Sequence, residues 1–312
     1  METAVITITL NPALDKTITL PNLEVGGLNR ANHVQIDPGG KGINVAKVLK
    51  KFGVDILATG FIAGDQGNLL RNQLKGLKII DDFILVEGET RTNLKIVDEH
   101  SWVTTEINEK GFEITDQDVE KLKNQFRSHL TPHSIIVFAG SIPQGGSSDI
   151  YAEFIQLANQ AGSKTILDAD GMALEEGIKA KPFAIKPNIF ELEQLLDRPL
   201  DTTDKILEAG NELIQQGISM LIISMGSKGA IVMNEQEAYQ VTPFPITPKS
   251  TVGAGDSMVA TLVYSLLQNL SLRETAQWVT TAGTITATKP GTEVCSLEEV
   301  KHSVEKITIK RL

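Results

Sequence analysis

Helical and strand-like segments alternate between residues 116 and 224, and this alternation restricts the fold more than any other feature of the sequence. The predicted helices cover 116–130, 148–161, 171–179, 189–196 and 203–217. The predicted strands are Ile135–Phe138, Thr165–Asp168, Phe183–Ile185 and Met220–Ser224. Strands separated by helices form parallel sheets, because each helix packs on the sheet while the chain crosses back. The sequence therefore predicts an α/β fold built on a parallel sheet.

The N-terminal part of the chain departs from this alternation. Ala4–Leu10 reads as a first strand that ends in a turn carrying Asp15, and Ile43–Phe52 reads as a buried helix. Asp55–Thr59 is strand-like. Three further strand-like stretches, Phe83–Val86, Arg91–Val97 and Trp102–Ile107, follow one another without a helix between them. Together with the mixed segment 16–36, these three stretches predict a small antiparallel sheet that projects from the core.

The C-terminal third of the chain reads as mainly helical. A hairpin over Ala230–Met233 and Ala238–Val241 precedes predicted helices at 256–269, 272–288 and 297–305. The last two begin with Ser-x-x-Glu, a capping box in which the serine and glutamate satisfy free N–H groups at the helix start.

Composition excludes several classes of partner and site. The 312 residues carry 29 basic and 39 acidic side chains, for a net charge of −10, which argues against nucleic acid and anionic membranes as partners. An anionic substrate would therefore need a locally basic pocket. The single cysteine, Cys295, rules out an internal disulfide and a cysteine metal site. We find no signal segment and no apolar run of about 20 residues, so we expect a soluble cytoplasmic protein.

The stretch Ser250–Ala260 predicts a tight glycine turn that leads into a buried helix. Such a turn directs free backbone N–H groups at one point, where the helix dipole adds positive charge and favours an anion. Asp256 follows within the first helical turn, so an anion site and a proton acceptor would lie together. An ordinary loop followed by an acidic N-cap residue would have the same sequence. The dinucleotide and P-loop glycine patterns are both absent from the sequence.

Two other polar segments are candidate binding sites because of their positions at a helix start and along one strand face. Gly39-Gly40-Lys41-Gly42 and Asn44 lie at the start of a predicted helix. This pattern suits a site for sugar hydroxyls or a phosphate, because glycines let the backbone approach a ligand, but a flexible helix start would have the same sequence. Arg91 and Asn93 alternate along one strand and share a face, which Lys95 would share. An arginine there suits a phosphate monoester, although an ordinary exposed strand is nearly as good an explanation.

Ligands of doubly wound sheets bind beyond the carboxyl ends of the strands, and further polar residues lie there. Ser141 follows one predicted strand, and a polar turn starting at Ser224 follows another. Asn188 and Glu191 are three residues apart at a helix start. They could hold water-coordinated Mg²⁺ near ATP, or they could simply cap the helix.

Taken together, these strings resemble the PfkB (ribokinase-like) family of sugar kinases over essentially the whole chain. The resemblance rests on Gly39–Ala46, on Asn188 to Glu191 and on Thr251–Ser257, in that order along the sequence. It implies a single three-layer α/β/α domain over residues 1–312, with a small antiparallel β lid formed by about 16–36 and 83–108. It also implies ATP and Mg²⁺ as cofactors, and a homodimer formed through the lid.

The resemblance also assigns roles by position. It implies Asp256 as the base and the N–H groups of Gly253, Ala254 and Gly255 as the anion hole. The sugar phosphate would contact Asp15, Gly39, Gly40, Lys41, Asn44, Arg91, Asn93, Ser141 and Arg30. The nucleotide side would comprise Lys186, Asn188, Glu191, Ser224, Gly226, Gly229, Ala282, Gly283 and Thr286, with Glu191 reaching Mg²⁺ through water. Asp170 stands where relatives have a serine, which puts a ligand role for that turn in doubt.

Motifs such as Thr90–Asn93 and Gly140–Pro143 are most similar to the branch of the family that acts on hexose phosphates. The implied activity is ATP-dependent phosphorylation of a ketohexose phosphate. Fructose 1-phosphate is favoured as the acceptor over tagatose 6-phosphate and fructose 6-phosphate. A different class, a regulator that binds a nucleotide or sugar phosphate without turnover, also fits the scaffold, but the intact glycine turn with Asp256 argues against it.

Overall fold

The computed structural model describes residues 5–101 and 103–312 of the chain. The strands within these residues are β1 (Val5–Thr9), β2 (Ala13–Leu20), β3 (His33–Gly39), β4 (Leu57–Ala63), β5 (Ile80–Val86), β6 (Arg91–Asp98), β7 (Thr104–Asn108), β8 (Ile135–Ala139), β9 (Lys164–Asp168), β10 (Ala184–Ile185), β11 (Met220–Ser224), β12 (Ala230–Met233), β13 (Ala238–Thr242) and β14 (Thr308–Arg311). The helices are α1 (Lys41–Lys51), α2 (Gly64–Gly76), α3 (Asp116–His129), α4 (Ile150–Gln160), α5 (Gly171–Lys179), α6 (Ile189–Leu196), α7 (Thr203–Gln215), α8 (Ala254–Leu267), α9 (Leu272–Ala287) and α10 (Leu297–Ser303).

A large sheet forms the middle layer of the molecule. Across the described residues it has ten strands in the order β14-β13-β12-β11-β10-β9-β8-β1-β4-β5. The strands from β11 to β5 pair in parallel, whereas β11 to β14 pair antiparallel. The predicted alternation of helices and parallel strands is therefore confirmed, as is the hairpin formed by β12 and β13.

Helices cover both faces of this sheet and bury two apolar clusters. One cluster joins the sheet to α1, α2, α8, α9 and α10, and the other joins it to α3 through α7. Because the central strands are covered on both faces, they are apolar almost throughout, as Ile135–Ala139 illustrates. The predicted three-layer α/β/α architecture is confirmed.

The small sheet lies apart from this core, in the order β3-β2-β6-β7, and we call it the lid. Its pairs are antiparallel except for β2 and β6, which run parallel, so the expectation of a purely antiparallel lid is wrong. Strand β2 begins at Ala13, so Asp15 lies in a lid strand and not in the predicted turn. Ala4 and Trp102, at the starts of two predicted strands, lie outside the described residues.

Two parts of the sequence reading are corrected by the large sheet. The sequence predicts Phe83–Val86 as part of the lid, but this stretch belongs to β5, which pairs in parallel with β4 at the sheet edge. Helix α2, which connects these two strands, was not predicted because it buries only Gly67, Leu70 and Leu74 and so has a weak apolar pattern. Strand β14 was also missed. It adds an edge strand after the predicted C-terminal helices.

Helix starts follow the sequence closely. The Ser271 and Ser296 side chains accept from the backbone N–H groups of Glu274 and Glu299, and both glutamates reach back to the cap residues. Helices α9 and α10 therefore begin with the two predicted capping boxes. Each cap typically contributes about 1 kcal/mol of stability. This fixes α9, which packs against α8 and so supports the glycine turn.

Candidate active site

The loop before α8 has the backbone geometry that the glycine pattern predicts. Gly253 is the N-cap residue, with φ of 75°, a left-handed conformation that glycine adopts without a steric penalty. The N–H of Ala254 donates to the carbonyl of Thr251 at 3.3 Å, whereas Gly253 and Gly255 donate no backbone hydrogen bond within the described chain. Two of the three N–H groups assigned to the anion hole therefore remain available to a ligand at this helix N-terminus.

Asp256 lies in the first turn of α8, with only 7% of its surface exposed. Its Oδ2 accepts a hydrogen bond of 2.8 Å from Nδ2 of Asn44 on α1, although the two residues are 212 positions apart. Burial raises the pKa of Asp256 to about 6, and the neighbouring Asp168 carboxylate also raises it. A carboxylate with this pKa is ionised at neutral pH yet more basic than an exposed aspartate, which suits a proton acceptor.

Two lysines share one buried carboxylate beside Asp256. Nζ of Lys41 lies 3.3 Å and Nζ of Lys186 lies 3.4 Å from Oδ1 of Asp168, which is 1% exposed. Asp168 holds the pKa of Lys41 well above its usual range, so this ammonium stays charged. A Cβ placed on Gly255 would lie 3.3 Å from Nζ of Lys186. One cation therefore borders the glycine turn directly, and a second is held next to it.

Asp168 was not among the predicted site residues, although the sequence contained a signal for it. It is the last residue of β9, and the carboxyl ends of parallel strands were already identified as the region where ligands bind. Because both of its partners are lysines, it acts by orienting cations, and its own charge is compensated. Its buried location also explains why it raises the pKa of Asp256.

The polar face of the lid is organised around Asp15. Its carboxylate accepts from Nδ2 of Asn93 at 3.1 Å and pairs with Nζ of Lys95 at 3.0 Å. A Cβ on Gly39 would lie 2.5 Å from the Asp15 carboxyl carbon, so only glycine lets the backbone approach this closely. Lys95 shares the face as predicted. Its charge is neutralised by Asp15, which leaves Arg91 as the cation of this strand that lacks a carboxylate partner within the described residues.

Arg91 is connected to Ser141 through a residue that the site prediction omitted, Asn11. Arg91 donates from Nη2 to the Asn11 carbonyl at 3.0 Å, and Nδ2 of Asn11 donates to Oγ of Ser141 at 3.4 Å. In the described structure, Nε of Arg91 and Oδ1 of both Asn11 and Asn93 are buried without a hydrogen-bond partner. Such atoms are costly to bury unpaired. A ligand that carries both phosphate oxygens and hydroxyl groups would satisfy all three.

A cavity of about 550 Å³ also borders the glycine turn, lined by the end of β11, the turn that follows it, α8 and α9. Its volume falls in the range of small-molecule sites. The predicted residues that line it are Ser224, Gly226, Gly229, Ala254, Gly255 and Gly283. Phe244 and Ile246, with the prolines around them, form another wall. Sequence reasoning missed this wall, although a proline-rich loop directly before the glycine turn was a visible signal.

Asn188 and Glu191 form the cap of α6 in this structure. Oδ1 of Asn188 accepts from the Glu191 N–H at 2.9 Å, and Oε2 of Glu191 accepts from the Asn188 N–H at 2.8 Å. Throughout residues 5–101 and 103–312, no three His, Cys, Asp or Glu side chains cluster as a direct metal site would require. Mg²⁺ beside a nucleotide takes most of its ligands from phosphates and water. These residues therefore fit only the water-mediated role predicted for Glu191.

Residues 8–299 match the pfkB family carbohydrate kinase. The chain belongs to the pfkB family of carbohydrate kinases. It is 35% identical over 307 residues to 1-phosphofructokinase of Haemophilus influenzae, covering 98% of both chains, and 36% identical over 307 residues to 1-phosphofructokinase of Borreliella burgdorferi, covering 97% of both. A crystal structure of phosphofructokinase-2 from Escherichia coli in complex with substrates and products superposes with a TM-score of 0.93, at 28% identity, over 97% of this chain and 99% of that one.

This pfkB kinase is an ATP-dependent enzyme that acts on a sugar, so its partners include ATP and a small-molecule sugar substrate. In the described part of the chain, every helix is too short or too polar to span a lipid bilayer.

Three predicted site residues do not join the others in this pfkB kinase. Arg30 is exposed in the loop between β2 and β3, and no hydrogen bond or ion pair connects it to the described site residues. Ala282 and Thr286 are buried in the core, where Oγ1 of Thr286 bonds Oγ of Ser257 at 2.8 Å. The residues of α9 that line the cavity are Thr280, Gly283, Thr284 and Ala287. The helix was predicted correctly, but two of its three assigned residues face the core and do not line this cavity.

Proposed function

We propose that this kinase transfers the γ-phosphoryl group of ATP to D-fructose 1-phosphate and forms fructose 1,6-bisphosphate. The observation that carries the reaction is the position of Asp256, a buried carboxylate with a raised pKa that bonds Asn44 and directly follows Gly255, which lines the 550 Å³ cavity. The choice of acceptor rests on the relatives named 1-phosphofructokinase, which are 33–36% identical over nearly the full chain.

In the acceptor site, we assign the sugar to the space bordered by Asp15, Gly39, Gly40 and Asn44. Arg91 would bind the phosphate already present on the sugar, because its free Nε lacks a partner in the described structure and can donate to a phosphate oxygen. The unpaired amide oxygens of Asn11 and Asn93 would accept from sugar hydroxyl groups. Lys41 lies between this region and Asp168. A charged fork at one end and a base at the other would orient one hydroxyl group toward the nucleotide.

In the transfer step, the acceptor hydroxyl oxygen forms a bond to the γ-phosphorus while the bond between that phosphorus and the bridging oxygen of ADP breaks. The hydroxyl proton passes to Asp256. Phosphoryl transfer proceeds through a loose transition state, so positioning and charge neutralisation contribute most. The N–H groups of Gly253 and Gly255, together with Lys186, are placed to stabilise the negative charge on the transferred group.

On the nucleotide side, we assign the 550 Å³ cavity to ATP. Ser224, Gly226 and Gly229 line one side of it, and Gly283 lines another. A bound Mg²⁺ ion would supply positive charge that offsets the negative charge of the ATP phosphates. Asn188 and Glu191 would hold its water ligands, since the capping hydrogen bonds of Glu191 use only Oε2.

Fructose 6-phosphate is the second candidate acceptor, because the fold also superposes on E. coli phosphofructokinase-2 in complex with fructose-6-phosphate, with a TM-score of 0.91 at 27% identity. Tagatose 6-phosphate remains a third candidate from the sequence resemblance. The three candidate acceptors differ in the positions of one phosphate group and one hydroxyl group on the sugar.

We expect kcat/KM to be at least about tenfold higher for fructose 1-phosphate than for fructose 6-phosphate or tagatose 6-phosphate, because a site that pairs buried polar groups discriminates strongly when they are left unpaired. ADP release measured with each acceptor under identical conditions tests this. A preference for either 6-phosphate would reassign the substrate, and ADP release with none of the three would contradict the proposed function.

We also propose that two copies of the chain associate through their lids. Residues directly opposite in neighbouring strands share a face, so Ile18, Val34 and Ile96 lie together on the side opposite Asp15. Val34, Ile36 and Ile107 remain exposed, and exposed apolar patches mark interaction surfaces. Among relatives, a tetrameric inhibited form of E. coli phosphofructokinase-2 has a closely similar fold, with a TM-score of 0.92.

Sedimentation equilibrium tests the homodimer. We expect a dimer for the natural sequence and a monomer for Ile36→Glu, because a charge would be buried in the apolar contact. A natural protein that is monomeric at micromolar concentration would refute the proposal. The cytoplasmic location stays a prediction.

A further inference from the structure

Lys47 lies one turn after Asn44 on α1 and has no place in the reaction described above. Its Nζ donates to the carbonyl of Pro38 at 3.3 Å and to Oδ1 of Asn44 at 3.4 Å. In the described structure it forms no ion pair with a carboxylate. Burial lowers the pKa of Lys47 from its ordinary value. Lys47 is half-buried, and a pKa that is lower in the folded state means that its charge reduces the stability of the fold.

The contact with Lys47 supports the observed orientation of the Asn44 amide. A lysine ammonium can only donate hydrogen bonds, so it selects the oxygen of the amide. The nitrogen of the same amide then faces Asp256, to which it donates at 2.8 Å. In the reversed orientation, an amide oxygen would face a carboxylate, and two acceptors would repel each other. Lys47 therefore favours the one amide orientation that supports Asp256 as an ionised base.

We propose that Lys47 is a positioning residue for phosphoryl transfer, acting through Asn44 on Asp256 and through Pro38 on the glycine segment that borders the sugar. This inference rests on the proposed function, because it concerns the base of that same reaction. Lys47 contacts neither the nucleotide cavity nor the transferred group. Its effect should therefore appear in the protonation and orientation of the base and not in ATP binding.

The charges around both groups determine the direction of the effect. Lys47 is faced by Asp37 of β3, Asp15 of β2, Lys95 of β6 and Asp256 of α8. Asp256 is faced by Asp168 of β9, Lys41 of α1 and Lys186 after β10. Removing Lys47 takes one cation away from this set and removes one of the two hydrogen bonds that hold the Asn44 amide. Both changes disfavour ionised Asp256, so its pKa should rise.

The stem of Lys47 offers a direct test, because it lines a cavity of about 700 Å³ that also contacts Lys50, Lys51 and Thr292. Lys47→Ala would leave room for a small amine that enters from this cavity. Ethylammonium carries N–H donors that can replace the lost ammonium, whereas tetramethylammonium carries the same charge without a donor. Lys50→Ala is the matched control, since Lys50 is on the same helix and pairs with the exposed Asp55 at 2.7 Å.

We expect Lys47→Ala to lower kcat about tenfold, as for the loss of a hydrogen bond to a charged group. The KM for ATP should stay within about twofold, and the acidic limb of kcat/KM should move to higher pH. Ethylammonium should restore part of kcat, and tetramethylammonium at equal ionic strength should not. The melting temperature of the Lys47→Ala variant should equal or exceed that of the natural enzyme.

The inference is overturned if kcat and the acidic limb of Lys47→Ala match those of Lys50→Ala, or if the two ammonium salts act equally. A natural enzyme without turnover of any sugar phosphate would instead refute the proposed function, so the two failures are distinguishable.

Discussion

Replacing Asp256 by asparagine is expected to lower kcat at least about 100-fold, the lower end of what a general base contributes. Asparagine has nearly the same shape, and its amide oxygen can still accept from Nδ2 of Asn44, so the local structure should persist. It cannot take the hydroxyl proton. Steady-state kinetics with saturating ATP and sugar phosphate, alongside calorimetric binding of ATP to the variant, separate loss of chemistry from loss of binding.

The pH dependence of the natural enzyme provides an internal control for this variant. Because the pKa of Asp256 is raised to about 6, kcat/KM should fall as the pH drops through this value and the base becomes protonated. An exposed aspartate would titrate about two units lower. In Asp256→Asn the residual rate should lose this limb. Near-normal turnover in the variant, or an unchanged limb, would remove Asp256 from the mechanism.

Stability should change in the opposite direction to activity. The folded-state pKa of Asp256 is above its unfolded value, so the folded protein binds the extra proton between about pH 4 and 6, and stability is lost as the pH rises through that window. A shift of about two units corresponds to about 3 kcal/mol. Asparagine carries no such charge. At pH 7 the Asp256→Asn variant should therefore unfold at a higher temperature than the natural enzyme. The gain in its free energy of unfolding should not exceed about 3 kcal/mol.

The parts of this enzyme that sequence reasoning found are those where one residue type serves one local geometry. Gly253 must adopt a left-handed turn, and the Ser271 capping box repeats a known hydrogen-bond pattern. Strands β8 and β11 are covered on both faces, so a run of consecutive apolar residues marks each of them. These signals are contained within a few consecutive residues and need no knowledge of the rest of the fold.

The parts that it missed depend on contacts between distant segments. Asp15 reads as a turn residue until β3 and β6 pair with β2 on either side, and Phe83 was placed in the lid because α2, which carries β5 back to the large sheet, was not recognised. The face of α9 that meets the cavity is offset by one residue from Ala282. That offset is set by how α8 packs on α9, which no local pattern records.

Net charge illustrates the same division. A chain with a charge of −10 needs a basic pocket to bind an anionic substrate, and the sequence predicted that much. The structure brings Lys41 and Lys186 together around Asp168, and places Arg91 beside Ser141 through Asn11. The sequence could not predict which lysines are neutralised. Lys95 has the right spacing for the substrate, but it is paired with Asp15 and not with a ligand.

Replacing Arg91 by alanine is expected to raise the KM for the sugar phosphate at least about 30-fold, with kcat much less affected. Arg91 would contact a phosphate that is present before and after transfer, so its contribution is the same in the ground state and the transition state. Loss of one partner from a buried, hydrogen-bonded charge pair typically costs 2–5 kcal/mol. Initial rates with each substrate varied in turn measure the two KM values, and that for ATP should stay within about threefold.

Arg71→Ala is the matched control, because Arg71 pairs with Asp81 at 2.7 Å, between α2 and the edge strand of the large sheet. It should leave both KM values unchanged. Arg91→Lys should fall between the natural enzyme and Arg91→Ala, since lysine keeps the charge but loses the planar fork and the Nη2 contact to the Asn11 carbonyl. A rise confined to the KM for ATP would place this lid strand on the nucleotide side and would overturn the assignment of the acceptor site.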